Sequence, residues 1–157
     1  MAQPVTETIL VKGSAEEVYR VWSNFELFPH FMSNIKSVTN TGPGRSHWVM
    51  EGPLGKTFEW DAETTRMEPN KRIAWNSINT EEGGLKTSGQ VTFNQLADGQ
   101  TEVSVTMVYD PPGGALGEIA AELFANPEGR VHEDMKNFKY YQRYVNHFPT
   151  AGEFVTF

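Results

Sequence analysis

At 157 residues the chain is sized for one domain, and 38% apolar content with ten Phe, four Trp and five Tyr supplies the large, stiff side chains of a packed core. Thirteen Lys plus Arg against twenty Asp plus Glu leave a net charge of −7, which disfavours a protein that must neutralise nucleic-acid phosphates or settle on an anionic membrane. The absence of cysteine excludes disulfides, thiolate nucleophiles and Cys-ligated zinc; with no signal-type N-terminus and no membrane-length apolar run, the expected location is the cytoplasm.

The Thr-, Val- and Ile-rich run from Val5 to Lys12 reads as a strand stopped by Gly13. Ser14 with Glu17 three residues on is a capping box, and Val18, Val21, Trp22 and Phe25 follow at helical spacing. Pro29 limits that helix, and Phe25, Phe28, Phe31 and Met32 around it predict a second short helix set at an angle to the first. From Ile35 to Tyr109, turn signals at Gly42-Pro43-Gly44, Gly52-Pro53-Leu54-Gly55, Pro69-Asn70, Glu82-Gly83-Gly84 and Asp98-Gly99 separate six short runs. Connections this short join only antiparallel neighbours, so the prediction is a meander that reaches seven strands with the first one included.

Asp110-Pro111-Pro112-Gly113-Gly114 ends the last strand. It lacks the Lys-Ser/Thr ending of a phosphate loop and reads as a turn before a helix. Leu116, Ile119, Ala120, Leu123 and Phe124 define a first helical piece from Ala115 to Ala125, a candidate gate. Asn126 then serves as N-cap and Pro127 as first residue of a longer helix from Glu128 to Phe148. Its apolar stripe is Val131, Met135, Phe138, Tyr141, Val145 and Phe148, with Glu133 and Lys136 paired off it. The expected organisation is a single domain over 1–157, with a core at 5–148 and a tail at 149–157.

Alternation divides the strands into two faces. Phe58, Trp60, Ala62 and Thr64 oppose Glu59, Asp61 and Glu63, and Ile73, Trp75 and Ser77 oppose Arg72, Ala74 and Asn76. Thr87, Gly89, Val91 and Phe93, then Val103, Val105, Met107 and Tyr109, continue the apolar face, which Trp48 and Met50 join. Large rings beside Ala62, Ser77 and Gly89 make an uneven inner surface with room under a covering helix. A solid aromatic core fits the same pattern, since periodicity does not measure a void.

The order strand, two short helices, meander and long helix resembles the START-like (SRPBCC, helix-grip) superfamily over about residues 5–148. The branch it is most similar to is that of polyketide cyclases/dehydrases and coenzyme-Q-binding START domains. The resemblance is carried by Val18-Tyr19-Arg20-Val21-Trp22-Ser23-Asn24-Phe25, Phe28-Pro29-His30-Phe31-Met32, Gly55 with Phe58-Glu59-Trp60-Asp61-Ala62, Pro69-Asn70-Lys71-Arg72-Ile73-Ala74-Trp75, and Tyr109-Asp110-Pro111-Pro112-Gly113-Gly114. It implies an α+β helix-grip fold, in which a seven-stranded curved antiparallel sheet is covered on its concave face by the interrupted C-terminal helix. It also implies a cavity between sheet and helix that different members use for lipids, isoprenoids, polyketides or plant hormones. No catalytic motif of the aromatic cyclases and no glycine-rich loop of the plant pathogenesis-related members is matched.

The expected ligand-binding residues are Phe28, Phe31, Met32, Trp48, Met50, Phe58, Trp60, Ala62, Trp75, Ser77, Val91, Phe93, Val105, Met107, Tyr109, Met135 and Phe138. Tyr109, Thr64, Thr87 and Ser77 can fix a ligand carbonyl or hydroxyl. His30 at the expected cavity mouth is the candidate acid or base, with Tyr109 beside it. The carboxylates Glu59, Asp61 and Glu63 on the outer face are expected to pair with Lys or Arg of adjacent strands rather than a metal, and His47, His132 and His147 lack ligand spacing. The leading expectation is binding or carriage of a hydrophobic small molecule (lipid, isoprenoid/quinone or aromatic polyketide), with no cofactor, metal, nucleic acid or stable membrane insertion, and with weak homo-oligomerisation left open. The alternatives are a cyclase/dehydratase-type enzyme using the same cavity and a ribosome- or protein-interaction module.

Overall fold

β-Branched residues favour extended backbone, and Val5–Lys12 forms β1. The Ser14 hydroxyl accepts the Glu17 N–H at 3.2 Å and starts helix α1, Ala15–Trp22, whose buried stripe is Ala15, Val18, Val21 and Trp22. The expected second helix is a six-residue 3-10 turn, Phe25–His30. Pro29 lies inside it and cannot donate a helical hydrogen bond, which keeps the segment short. The computed structural model describes residues 4–52, 55–78, 86–110 and 126–147. The expected gate piece at 115–125, the turns centred on Pro53-Leu54 and Gly83-Gly84, the Pro111–Gly114 turn, the side chain of Val145, Phe148 and the tail at 149–157 lie outside those residues.

Six strands follow: β2 Ile35–Gly42, β3 Arg45–Glu51, β4 Thr57–Glu68, β5 Arg72–Ile78, β6 Lys86–Gln95 and β7 Gln100–Asp110. All pairings are antiparallel, in the order β1-β7-β6-β5-β4-β3-β2. The meander and the seven-strand sheet are therefore those the turn signals predict. Asn70 and Asp98 take left-handed backbone at φ 63°, a conformation these short polar residues tolerate in tight turns.

Helix α2, Pro127–His147, begins as its cap chemistry predicts, with the Asn126 Oδ1 accepting the Gly129 N–H at 3.1 Å. It buries Val131, Met135 and Phe138 against the sheet, together with Gln142, a residue its stripe does not foretell. Two sets of polar contacts tie α2 to opposite sides of the molecule. His132 Nδ1 lies 2.8 Å from Glu7 Oε2 on β1. On the other side, Arg130 Nη1 donates to Asn34 Oδ1 and the Ser33 N–H donates to Asp134 Oδ1 at 3.3 Å, just before β2 begins. Because β1 and β2 are the two edges of the sheet, one helix holding both requires the sheet to curl around it.

Candidate functional site

The inner face is built by alternation. Phe58, Trp60, Ala62, Ile73, Trp75, Thr87, Val91, Phe93, Val103, Val105 and Met107 are all buried, while Glu59 and Asn76 are exposed. At its centre stand three indoles. Trp48 and Trp60 face each other in register across β3 and β4 and stack at 5.8 Å and 18°. Trp75 on β5 lies 6.2 Å from Trp48 at the same 18°. It can lie flat because its partner in register on β6 is Gly89. A Cβ there would stand 2.7 Å from Trp75 Cε2 and 2.9 Å from the Met107 sulfur.

Between this wall and α2 is a cavity of about 20 Å³, roughly the room of a single water. Its lining is Met32, Asn34, Ile35, Trp48, Met50, Trp60, Trp75, Thr87, Met107, Tyr109, Arg130 and Asp134. The apolar part is three indoles, three thioethers and the Ile35 side chain. The polar part is Thr87 on β6 and a cluster at the α2 side, where Arg130 and Asp134 sit one helical turn apart beside Tyr109 and Asn34.

Burial, opposed by the Ser33 N–H and by Arg130, raises the Asp134 carboxyl to about 6. Burial, reinforced by the charge of Asp134, pushes the Tyr109 phenol above its ordinary range, which keeps it a neutral hydroxyl. The Trp48 N–H donates to Ser46 Oγ at 2.8 Å and the Asn34 amide to the Glu51 carbonyl at 3.2 Å. The Trp60 N–H is buried with no acceptor among the described residues.

Of the expected ligand-binding residues, the structure brings Met32, Trp48, Met50, Trp60, Trp75, Met107 and Tyr109 onto the cavity wall. Phe28, Phe31 and Phe138 lie behind it, packed around Trp22 at ring distances of 5.3, 5.5 and 5.0 Å. Met135, Phe58, Ala62, Val91, Phe93 and Val105 are buried in the surrounding core. Ser77 faces an open groove instead, where its hydroxyl accepts the Thr87 N–H at 3.0 Å. His30 is exposed and stacks on Tyr141 at 5.6 Å and 8°, and it is not part of the lining. Asn34, Ile35, Arg130 and Asp134 are the wall residues that sequence reasoning missed. For the last two the available signal was i,i+4 spacing beside the Val131-Met135 stripe.

On the outer face, His47 bridges Asp61 and Glu59, at 2.8 Å from each, and Arg45 reaches Glu63 at 3.7 Å. Cross-strand pairing with Lys or Arg is thus met for Glu63 alone, and Glu59 and Asp61 take a histidine instead. Hydrogen bonds to Asp61 and Glu59 raise the His47 pKa above its ordinary value. Among the described residues no group of three or more His, Asp or Glu is placed to hold a metal ion, and no helix is long and apolar enough to cross a membrane.

Residues 11–136 match the family described as polyketide cyclase / dehydrase and lipid transport. An uncharacterized 17.2 kDa protein of Streptomyces lincolnensis is 30% identical over 135 residues, which cover 86% of each chain. The crystal structure of DR_A0006 from Deinococcus radiodurans superposes with a TM-score of 0.69 at 31% identity, covering 89% of this chain and 97% of that one. The Zhui aromatase/cyclase from Streptomyces sp. R1128 shares the fold, with a TM-score of 0.70 at 15% identity over 99% of this chain and 100% of that one.

Proposed function

For a chain that belongs to the polyketide cyclase / dehydrase and lipid transport family, in the START-like superfamily, we propose binding and carriage of an apolar small molecule between the indole wall and α2. The observation that supports this reading is the composition of the cavity wall. Trp48, Trp60 and Trp75 offer flat faces, and Met32, Met50 and Met107 offer unbranched side chains able to repack. A ligand of ordinary size needs a few hundred Å³, far above the about 20 Å³ enclosed, so binding opens the site by moving methionines or α2. Apolar burial at roughly 25 cal/mol per Å² drives that opening. A reducing cytoplasm suits a carrier without cysteine, and its charge of −7 suits a partner that is not nucleic acid.

Titration calorimetry and native mass spectrometry with a fatty acid, a naphthoquinone and a tetracyclic polyketide test this reading. The expected result is one ligand per chain for at least one class, tryptophan quenching and a negative heat-capacity change. A protein that binds none of them at saturating concentration is not a carrier of this kind.

A second reading, cyclase/dehydratase catalysis in the same cavity, is favoured by Asp134. Its carboxyl titrates near neutrality, whereas Tyr109 stays neutral and His30 lies off the wall. Asp134 is then the acid or base and Tyr109 a hydrogen-bond donor. Turnover of a polyketide substrate that is lost on Asp134→Asn and retained on His30→Gln supports this reading; turnover indifferent to Asp134 removes it.

A further inference from the structure

We infer that the ligand of this cavity presents a hydrogen-bond-accepting oxygen, as a ketone, quinone or carboxylate does, to the indole N–H of Trp60. The inference rests on the ligand-binding reading above and narrows the class of molecule it admits. Trp60 lines the cavity and is only 6% exposed, yet its N–H has no acceptor among the described residues. Native structures rarely leave a buried donor unmade, because its lost hydration is not returned by anything else.

The neighbouring rings do not supply the acceptor. Trp48 stacks on Trp60 almost in parallel, at 18°, so the N–H of Trp60 lies in its own ring plane and does not point at the Trp48 face. The Trp48 N–H makes a useful contrast, since Ser46 satisfies it at 2.8 Å within the protein. Trp22 also has an unmet N–H, but it is packed among Phe28, Phe31 and Phe138, away from the lining. Trp60 therefore combines an unused donor with a place on the wall. A ligand oxygen that meets this donor recovers a bond the free protein lacks, whereas a pure hydrocarbon of the same shape leaves it orphaned.

Menadione and 2-methylnaphthalene share one carbon skeleton and differ in the two carbonyl oxygens, and a chain without cysteine offers menadione no thiol to alkylate. Calorimetry should show menadione binding about tenfold more tightly or better. Trp60→Phe should bring the two within about threefold of each other. Trp48→Phe, which removes a donor already satisfied, should weaken both alike. On the wild-type protein, the Trp60 indole N–H resonance should move downfield with menadione and not with the hydrocarbon, a readout independent of any variant's folding. Equal affinity for the two compounds, or equal loss of both on Trp60→Phe, overturns the inference and leaves the binding reading standing. Binding of neither overturns the inference, while the binding reading is then decided by the fatty acid and the tetracyclic polyketide.

Discussion

Replacing Asp134 with Asn removes a partly buried charge and keeps the oxygen that accepts the Ser33 N–H. The native carboxyl titrates at about 6 against 3.8 when unperturbed, because burial disfavours its ionised form. That is roughly a hundredfold stronger hold on the proton, worth at most about 3 kcal/mol. Between the unfolded and folded values the native state carries more protons than the unfolded one, so this group's contribution is full below pH 4 and is lost as pH rises through about 6. Asp134 is partly exposed, so about 1–2 kcal/mol is expected to survive. Urea unfolding of both proteins at constant ionic strength should then show Asp134→Asn matching wild type near pH 4 and exceeding it by that amount at pH 8, with m unchanged. A variant that is less stable than wild type at pH 8, or a difference that does not vary with pH, refutes the burial argument.

Gly89→Ala should cost about 1–3 kcal/mol, since its methyl displaces Trp75 and the Met107 sulfur; thermal unfolding checks this, and near-UV dichroism should report the shifted indole. The His47 ring should titrate above the ordinary histidine value by NMR, because Asp61 and Glu59 hold its protonated form. Its stabilising contribution is present below the unfolded value and lost as pH rises through the folded one, and exposure limits it to less than about 1 kcal/mol. Ser14→Ala should lower stability by about 1 kcal/mol through loss of the α1 cap, read as a shift in the urea midpoint.

What the sequence made legible was whatever repeats. Alternation on β4 placed Phe58, Trp60 and Ala62 on one face and Glu59 on the other, and the Ser14-Glu17 and Asn126-Pro127 pairs marked both helix starts. The cavity wall was legible only in its apolar part. Arg130 and Asp134 flank the Val131-Met135 stripe and look, at helical spacing, like any solvated charges; only the curl of the sheet toward Asn34 brings them inward. Phe58 alternates onto the same face of β4 as Trp60, yet only Trp60 lines the cavity while Phe58 packs in the surrounding core, so filled core and cavity lining are indistinguishable by period. His30 was misplaced for a related reason. A histidine between apolar neighbours points inward or outward according to one backbone turn, and the 3-10 geometry sends it out onto Tyr141.

The pairing of β1 with β7, Val5 opposite Met107, also governs how the chain comes into being. At roughly 5–20 residues per second of synthesis, β1 waits about 5–20 s before its partner strand exists. During that interval β2 to β6 can pair with near neighbours, but β1 remains an unpaired strand whose Val5 and Val11, buried in the finished fold, have nothing to cover them. Closing so long a loop is the slow, nonlocal step of such a topology. Charges such as Glu7 and Lys12 at the borders of such a strand are the kind that disfavour edge-to-edge pairing, and in the finished fold Glu7 lies 2.8 Å from His132.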